Sequence, residues 1–394
     1  MVGWLLAPFG KGRTMKAKAM RQMLTSGMVV MAVAVFAGGE VRYDVTLLPT
    51  PGAPHVVVPG AINNAGQVVG LLREDREGTV HEGVLWDGET VTHLGADVFP
   101  SEISDSGKVV GYSNPVGGPP HAFLWEAGQI EYLGTFAVSP WDCAQAFSIN
   151  SAGRIVGRSV QTDGRFHACL WEGDEMRDLG LLLGREEEET AAYSINGAGQ
   201  VVGYSASYAA PGVRAVLWDA AGTIGELPTL GGNSTAEDIN DAGMVVGRSD
   251  TSSGQLRACL WAEGVNGWTI TNLGTLGGTS GAPSSKAEAI NESNQVVGQT
   301  TIDAGGYAAF LWEDGVMLNL NDLIPEVGGQ WVDCATGIND NGWIICRGTA
   351  EGRDQAFLLT PIPEPTTLSL LALLALSLPK RGGLAMMRRR GRQR

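Results

Sequence analysis

The segment Ile195-Asn196-Gly197-Ala198-Gly199-Gln200-Val201-Val202-Gly203 decides the fold, because its pattern recurs seven times along the 394 residues. The repeated form is Ile-Asn-x-x-Gly-x-Val-Val-Gly, with variations, and its isoleucine stands at positions 62, 103, 149, 195, 239, 290 and 338. An Asn at the first position of a type I turn can accept a bond from a backbone N–H two residues on. A Gly three positions later suits the left-handed residue of a three-residue hairpin loop. The pattern therefore predicts seven β-hairpins.

Two variant turns keep this chemistry. Ser104 replaces the Asn in the second repeat, and its hydroxyl can bond the turn backbone more weakly. Asn294 replaces the Gly in the sixth repeat, and Asn is the non-glycine residue best suited to positive φ. Both substitutions preserve the predicted hairpin.

Two further strands complete each unit. A Leu-Trp pair follows each of the first six hairpins, with its tryptophan at positions 86, 125, 171, 218, 261 and 312, and a short strand then ends near a leucine. Four strands in about 45 residues is the size of a propeller blade. The first strand of several units carries alanines, which suit an inner position where blades crowd around a channel: Ala144, Ala191, Ala236, Ala287 and Ala335.

The two ends of the array are complementary. The seventh unit closes with its third strand at Phe357-Leu358-Leu359, whereas an additional strand at 43–48 precedes the first unit. Pairing these two segments would close the ring and leave no open sheet edge. The fold class predicted for residues 41–361 is therefore all-β, a seven-bladed β-propeller closed by an N-terminal strand.

The charges divide the chain into an acidic body and two basic ends. Residues 40–363 hold 15 of the 27 basic and 41 of the 42 acidic residues, a net charge of −26. Such a body repels nucleic acid and anionic lipid, so no nucleic-acid partner is expected.

Residues 1–39 have the layout of a secretory signal peptide, with a plausible start at Met15. A positive region, an apolar core and a run of small residues follow in order: Lys16, Lys18 and Arg21; Met28–Phe36; Ala37, Gly38 and Gly39. A signal helix is expected here. The alternative is an uncleaved anchor helix, although the apolar run is short for a membrane span.

The C-terminal segment 363–394 also has three parts. They are a Pro-Glu-Pro motif, an apolar run that predicts a membrane helix, and a basic tail: Pro363, Glu364 and Pro365; Thr366–Leu378; Lys380, Arg381, Arg388, Arg389, Arg390, Arg392 and Arg394. A basic cluster after an apolar run stays cytoplasmic, which leaves the acidic body outside. The apolar run is shorter than the roughly twenty residues that span a bilayer core. Snorkelling of the first two basic residues would help to close that gap.

These three parts resemble the PEP-CTERM sorting signal of environmental Gram-negative bacteria. The resemblance implies that the Pro-Glu-Pro motif is recognised by a membrane-embedded exosortase, which removes the tail and transfers the body to the cell surface or extracellular matrix. The basic residues from Lys380 onward would hold the cytoplasmic side, so the chain would be anchored in the inner membrane before processing. A plain C-terminal anchor that is never processed is the alternative.

The third strands carry a second resemblance. The segment His121-Ala122-Phe123-Leu124-Trp125 is similar to the HAF repeat of bacterial extracellular proteins, and Leu273-Gly274-Thr275-Leu276-Gly277-Gly278 is similar to the segment that follows it. Partial copies occur at 167–171 and 257–261. This resemblance implies an exported protein and adds location rather than mechanism.

Aromatic side chains are the candidate binding residues. The six repeated tryptophans could stack on sugars, but each follows apolar residues in a strand, which favours burial between blades. Four tryptophans outside the repeat are better candidates for exposed contacts: Trp141, Trp268, Trp331 and Trp343.

The sequence shows no metal, cofactor or catalytic constellation. The histidines, at 55, 81, 93, 121 and 167, have no spacing that gathers metal ligands. The acidic run Glu186–Glu189 lies between two blades and is expected to form a solvated loop. Calcium at that run, at Asp241 or at Asp340 is the alternative to solvation and turn chemistry.

The cysteines predict no structural disulfide. Cys169 and Cys259 occupy a repeat position that Phe fills elsewhere, so they are interpreted as buried hydrophobic residues. Cys334 and Cys346 flank one hairpin on a diagonal, about 7–8 Å apart at Cα, which is unfavourable for a disulfide.

Two functional classes remain open. The favoured one is a non-enzymatic, exported surface or matrix protein whose propeller binds polysaccharide or another protein. The alternative is a polysaccharide hydrolase or lyase, which needs two or more acids or a His meeting at the channel. Acids outside the repeat that converge in the channel would favour the enzyme.

Overall fold

The computed structural model describes residues 42–50, 56–73, 81–114, 118–136, 142–184, 187–207, 212–277, 283–325 and 329–363. These ranges are almost entirely β-structure, with one short 3-10 helix at Leu320–Asp322. They contain no helix that is both long and apolar enough to cross a membrane. The expected signal helix and the expected C-terminal membrane helix both fall outside the described residues.

The described strands form seven antiparallel sheets of four strands, which are the blades. The inner strands are β2 (Val56–Ile62), β6 (Val98–Ile103), β10 (Ala144–Ile149), β14 (Glu188–Ile195), β18 (Gly231–Ile239), β22 (Ser285–Ile290) and β26 (Trp331–Ile338). The second strands are β3 (Val68–Arg73), β7 (Val109–Ser113), β11 (Ile155–Val160), β15 (Val201–Ser207), β19 (Val245–Thr251), β23 (Val296–Thr301) and β27 (Ile344–Ala350). The third strands are β4 (His81–Asp87), β8 (His121–Glu126), β12 (Phe166–Glu172), β16 (Gly212–Trp218), β20 (Leu256–Gly264), β24 (Tyr307–Glu313) and β28 (Arg353–Pro361). The fourth strands are β5 (Thr90–Ala96), β9 (Gln129–Tyr132), β13 (Glu175–Asp178), β17 (Ile224–Glu226), β21 (Gly267–Asn272), β25 (Val316–Asn319) and β1 (Tyr43–Leu47).

The predicted seven-bladed ring and its closure are confirmed. Strand β1 supplies the fourth strand of the seventh blade and pairs antiparallel with β28, with Tyr43 opposite Pro361 and Leu47 opposite Phe357. Each inner strand contacts the inner strands of both neighbouring blades, and β2 contacts β26 across the closure. The inner strands therefore surround a central channel, as their small residues predicted.

The predicted turn chemistry is also confirmed. The Asn63 Oδ1 atom accepts bonds from the backbone N–H groups of Ala65, at 3.1 Å, and Gln67, at 2.9 Å. Gly199 has a φ of +84°, and Asn294, which replaces glycine in the sixth turn, has a φ of +60°. These positive values explain why the position excludes most other residues.

Seven hydrophobic clusters lie between neighbouring blades and hold the ring together. The repeated tryptophans belong to them, as predicted; four are buried, and Trp125 and Trp312 are half-buried. The indole N–H of Trp218, for example, donates to the Leu179 carbonyl of the preceding blade at 2.8 Å. The four buried tryptophans each contribute apolar burial and satisfy their one polar atom in this way.

All five cysteines are buried free thiols. Cys334 lies opposite Arg347, and Cys346 lies opposite Ala335, so the predicted diagonal placement is confirmed. Cys169 and Cys259 lie in the interblade clusters, as their repeat position predicted.

The prediction of a solvated loop at 186–189 is wrong for Glu188, which is the fully buried first residue of β14. Its carboxylate accepts bonds from the backbone N–H groups of Leu182 and Leu183 and from the Ser205 hydroxyl. The preceding loop exposes amide groups that need an acceptor, and the carboxylate supplies it. A run of like charges does not reveal that one member has this role.

Candidate functional site

The channel wall is shaped by a β-bulge that recurs in every inner strand. The register between the inner and second strands shifts by one residue just before the repeated isoleucine. A bulge redirects side chains locally and is frequent beside functional sites. The bulged residues, which we name the bulge ring, are Gly60, Ser101, Phe147, Tyr193, Glu237, Glu288 and Thr336. All seven line a cavity of about 190 Å³ in the channel.

The bulge ring breaks the repeat of the sequence. The repeated isoleucine is present in all seven blades and the turn Asn and Gly that follow it are each present in six, whereas the bulge position carries six different residue types. The repeated residues form the turns and pack between the blades, whereas the bulge side chains do neither. The variation therefore gives the channel distinct sides, and it marks the channel as the candidate site.

Blades three and four form an aromatic side of the channel. The Phe147 and Tyr193 rings meet edge to face with centroids 5.4 Å apart, and the Tyr204 ring lies 5.5 Å from that of Tyr193. The Arg158 guanidinium lies 5.8 Å from the Phe147 centroid and 4.2 Å from the Phe166 centroid. All five side chains are half-buried, so solvent reaches them. We name these five residues the aromatic–arginine cluster.

Neutral groups hold the Arg158 side chain in place. Its Nε and Nη2 atoms donate to the Gln145 Oε1 atom at 2.8 and 2.7 Å, and its Nη1 atom donates to the Tyr204 hydroxyl at 3.4 Å. No carboxylate within the described ranges forms an ion pair with this guanidinium. The cation is therefore fixed in direction without being neutralised.

Blades five and six form a charged side of the channel. The Lys286 ammonium lies 2.8 Å from a Glu288 oxygen and 3.5 Å from a Glu237 oxygen, and the Arg248 guanidinium lies 3.8 Å from Glu237. Burial raises the pKa of Glu288, and the nearby Lys286 opposes that rise. Burial lowers the pKa of Lys286, but the two carboxylates outweigh it and leave that pKa raised. These charges largely compensate one another.

Glu102 and Asp238 lie one residue closer to the turns than the bulge ring. Both border the 190 Å³ cavity and a second cavity of about 240 Å³ at the turns. Burial raises the pKa of Glu102 to about 8, although the hydrogen bond that its carboxylate accepts from the Ile103 N–H partly opposes this rise. Burial raises the pKa of Asp238 to about 6, although hydrogen bonds from the Ile290 N–H and the Ser194 hydroxyl lower it in part. At neutral pH one carboxyl is mainly protonated and the other mainly ionised.

The seven hairpin turns lie together at one end of the channel, which we name the turn mouth. The Asn side chains that shape each turn also donate from Nδ2 to a carbonyl of the next blade. Six such bonds of 2.9–3.1 Å are present: Asn63 to Ser104, Asn150 to Asn196, Asn196 to Asn240, Asn240 to Asn291, Asn291 to Asn339, and Asn339 to Asn63. Asp241 and Asp340, considered as calcium ligands, accept backbone N–H bonds from Gly197 and Glu292 of the preceding blades. No group of three metal-ligating side chains is found in the described part of the chain.

The sequence-predicted site residues lie mostly elsewhere. Exposed Pro363 is described, whereas Glu364, Pro365 and the basic residues Lys380, Arg381, Arg388, Arg389 and Arg390 fall outside the described residues. Among the tryptophans proposed for contacts, Trp141 falls outside them too, and Trp268, Trp331 and Trp343 are half-buried outside the bulge ring. The sequence reasoning missed the aromatic–arginine cluster. Its available signal was the variation of residue type two positions before each repeated isoleucine.

Comparison with known proteins supports the fold and leaves the chemistry open. Residues 140–259 match the model of a family described as a protein of unknown function (DUF3466), and this stretch includes the whole aromatic–arginine cluster. A search of curated proteins finds no match.

Three solved structures illustrate what this chain is similar to. The β-propeller domain of the Trilobed protease from Pyrococcus furiosus is 10% identical, with a TM-score of 0.52 over 79% of this chain and 99% of that one. TolB from Acinetobacter baumannii is 12% identical (TM-score 0.42), covering 75% of this chain, which spans 63% of TolB. The six-bladed lectin of Aleuria aurantia is 15% identical (TM-score 0.34), covering 56% of this chain and 77% of the lectin. At 10% identity the similarity to the Trilobed protease domain shows the fold alone.

Proposed function

We propose that this chain is an exported cell-surface or extracellular-matrix protein whose propeller binds a polysaccharide in its central channel. The aromatic–arginine cluster carries the proposal. Sugar rings present apolar C–H faces that stack on aromatic rings, while charged and amide groups bond the hydroxyls. Phe147 and Tyr193 bring two aromatic rings into a channel that carboxylates also line. The propeller could instead bind a surface protein, and the array described below distinguishes this from glycan binding.

The termini support an outward orientation of this site. The Ile362 N–H donates to the Arg42 carbonyl at 2.8 Å, so these two residues lie side by side. Arg42 also pairs with Glu313, which bonds Gln295 in a hairpin turn, so both residues lie on the side of the turn mouth. If the tail tethers the protein, the opposite channel end points away from the membrane. The Gln145–Arg158 pair lies toward that opposite end, two residues beyond Phe147 along β10.

The proposal includes processing of the tail. Pro363, Glu364 and Pro365 would form the motif recognised by an exosortase-type membrane enzyme, and the arginine-rich end would stay cytoplasmic until cleavage. Two prolines would disfavour a helix at the motif, which supports its recognition by a protease. The mature protein would then be released to the surface or matrix of a Gram-negative bacterium.

A polysaccharide array tests the binding function. The full chain, purified in a detergent without a sugar headgroup, is applied to neutral and acidic glycans and to surface proteins from the same cells. We expect glycan binding that Phe147→Ala and Tyr193→Ala weaken at least about tenfold, since each stacking ring contributes on the order of 1 kcal/mol or more. Tyr132→Ala is the matched control, because this tyrosine is 59% exposed on the outer strand β9. Binding that survives both channel substitutions would refute the site.

A polysaccharide hydrolase is the second candidate, and the Glu102–Asp238 pair favours it. These acids lie outside the repeat and border the same two cavities. Their pKa values, raised to about 8 and about 6, suit a general acid and a general base at neutral pH. New reducing ends, formed by wild-type protein and lost in both Glu102→Gln and Asp238→Asn, would establish this activity. Binding without product would leave the non-enzymatic function.

A further inference from the structure

We propose that the channel selects an acidic polysaccharide, because Arg158 binds the anionic group of a sugar ring stacked on Phe147 and Tyr193. This inference rests on the proposed function and names its substrate class. The shared ligand chemistry is a sugar bearing a carboxylate or a sulfate. The planar guanidinium matches a carboxylate with two parallel bonds.

The first argument is a comparison within the chain. Arg158, Arg248 and Arg347 occupy equivalent positions on second strands, opposite Gln145, Thr235 and Cys334 of the inner strands. Arg347 lies 3.1 Å from Asp333, and Arg248 lies 3.8 Å from Glu237. Arg248 and Arg347 thus each lie near a carboxylate, whereas the side chains that accept from Arg158, Gln145 and Tyr204, are neutral.

The second argument concerns the bonds that Arg158 has left. Three of its five guanidinium N–H groups bond the two described neighbours Gln145 and Tyr204. Two N–H groups remain to donate, on a cation that solvent reaches. Acidic side chains far outnumber basic ones in this body, whose net charge is −26, yet none in the described ranges forms an ion pair with Arg158. A ligand anion would complete both the charge and the hydrogen bonding.

The third argument is the placement of the rings around the cation. The Phe147 ring lies 5.8 Å from the guanidinium and also lines the cavity with Tyr193. A sugar stacked on this pair would place a ring substituent within reach of Arg158. The acids of blades five and six do not cancel this attraction, because Glu237 and Glu288 share Lys286. Asp238, the remaining ionised acid, lies nearer the turns than the bulge ring and accepts three hydrogen bonds.

The test compares matched acidic and neutral glycans by calorimetry on the full chain in a detergent without sugar headgroups. The ligands are oligosaccharides of galacturonate, mannuronate and glucuronate, their carboxyl-reduced counterparts, and a sulfated oligosaccharide. We expect wild-type protein to bind at least one acidic glycan about tenfold or more tightly than its neutral counterpart. Arg158→Gln should remove this preference, because the acidic glycans should lose about tenfold or more affinity relative to their neutral counterparts. The matched control Arg347→Gln should keep it, and Arg158→Lys should keep part of it, since the charge remains without the fork.

The outcomes separate this inference from the proposed function. Equal wild-type affinity for acidic and neutral glycans, with both lost in Phe147→Ala, would overturn the role of Arg158 and leave glycan binding standing. A preference that persists in Arg158→Gln would also overturn it. Binding of no glycan by a folded wild-type protein would refute both. Should Arg158→Gln fail to fold, Arg158→Lys decides the matter, because unchanged affinity and preference in that variant would contradict recognition by the guanidinium fork.

Discussion

The ring of asparagine bonds at the turn mouth is interrupted at one blade, and Ser104→Asn should complete it. Ser104 stands where six blades have Asn, and its hydroxyl lies 3.0 Å from the Ser106 hydroxyl and accepts from Lys108 N at 3.1 Å. It is too short to bond the next blade. The Asn150 carbonyl accepts a bond from Gly153 N, as the equivalent carbonyls accept from their own turns, and it has a second lone pair for an Asn at 104.

The expected gain follows from the bonds counted in the other blades. The new side chain would donate one interblade bond of about 3 Å and would accept a second turn N–H, as Asn63 does. At roughly 0.5–1.5 kcal/mol net for each bond, less the entropy of fixing the side chain, the gain is about 1–2 kcal/mol. The reverse change, Asn339→Ser at the closure, removes the 2.9 Å bond to Asn63 O and should cost about 1–3 kcal/mol.

Calorimetric unfolding of the full chain at one fixed scan rate measures both changes. Ser104→Asn should raise the unfolding temperature by about 2 °C and Asn339→Ser should lower it by a similar or larger amount. Ser106→Asn is the matched control, because it adds an amide beside the same turn at an exposed position. The role assigned to the ring would be refuted if Ser104→Asn lowered the unfolding temperature or if Asn339→Ser left it unchanged.

Three further predictions concern the turns, the channel and the tail. Gly199→Val should cost roughly 1–3 kcal/mol of unfolding free energy, because a β-branched residue is forced to positive φ. Asn294→Gly should be nearly neutral, and equal effects of the two substitutions in denaturant titrations would contradict the turn assignment. Glu102→Gln should leave stability unchanged at pH 4 and raise it at pH 8.5. A carboxyl whose pKa rises from 4.5 to about 8 on folding costs stability as it ionises, at most about 5 kcal/mol at 1.36 kcal/mol per pH unit. The same substitution at exposed Glu263 is the control, and a gain at pH 4 as large as that at pH 8.5 would contradict the assignment. Glu364→Ala should leave membrane insertion intact and block processing, so that intact chains accumulate in membranes. Mass spectrometry of surface-released wild-type protein would exclude cleavage if it found chains that still carry residues 380–394.

The blade architecture could be predicted because each repeated residue solves a local problem. The Asn and Gly of each turn fix a hairpin, and the Leu-Trp pair fixes a buried third strand. Closure followed from counting strands, since the additional strand at 43–48 and the incomplete seventh unit fit only each other. The observed pairing of Tyr43 with Pro361 and Leu47 with Phe357 matches that count.

The channel chemistry could not be predicted in the same way, because it depends on contacts between blades. Phe147 and Tyr193 occupy the same position of neighbouring repeats and Arg158 occupies another, and only the bulge and the ring bring the three together. The second bond of each turn Asn reaches a carbonyl more than 40 residues away, so a single repeat gives no sign of it. Glu188 was misinterpreted for a related reason, since its acceptor role depends on amide groups of the preceding loop.

Hydrogen–deuterium exchange of the full chain, with and without the tightest glycan from the array, tests the central claim most directly. If the polysaccharide occupies the channel beside the aromatic–arginine cluster, amide protection should increase in 144–160 and 188–207, the inner and second strands of blades three and four. The outer strands β13 and β17 should exchange as before. Protection confined to the outer strands, with none in these inner segments, would contradict a binding site in the channel.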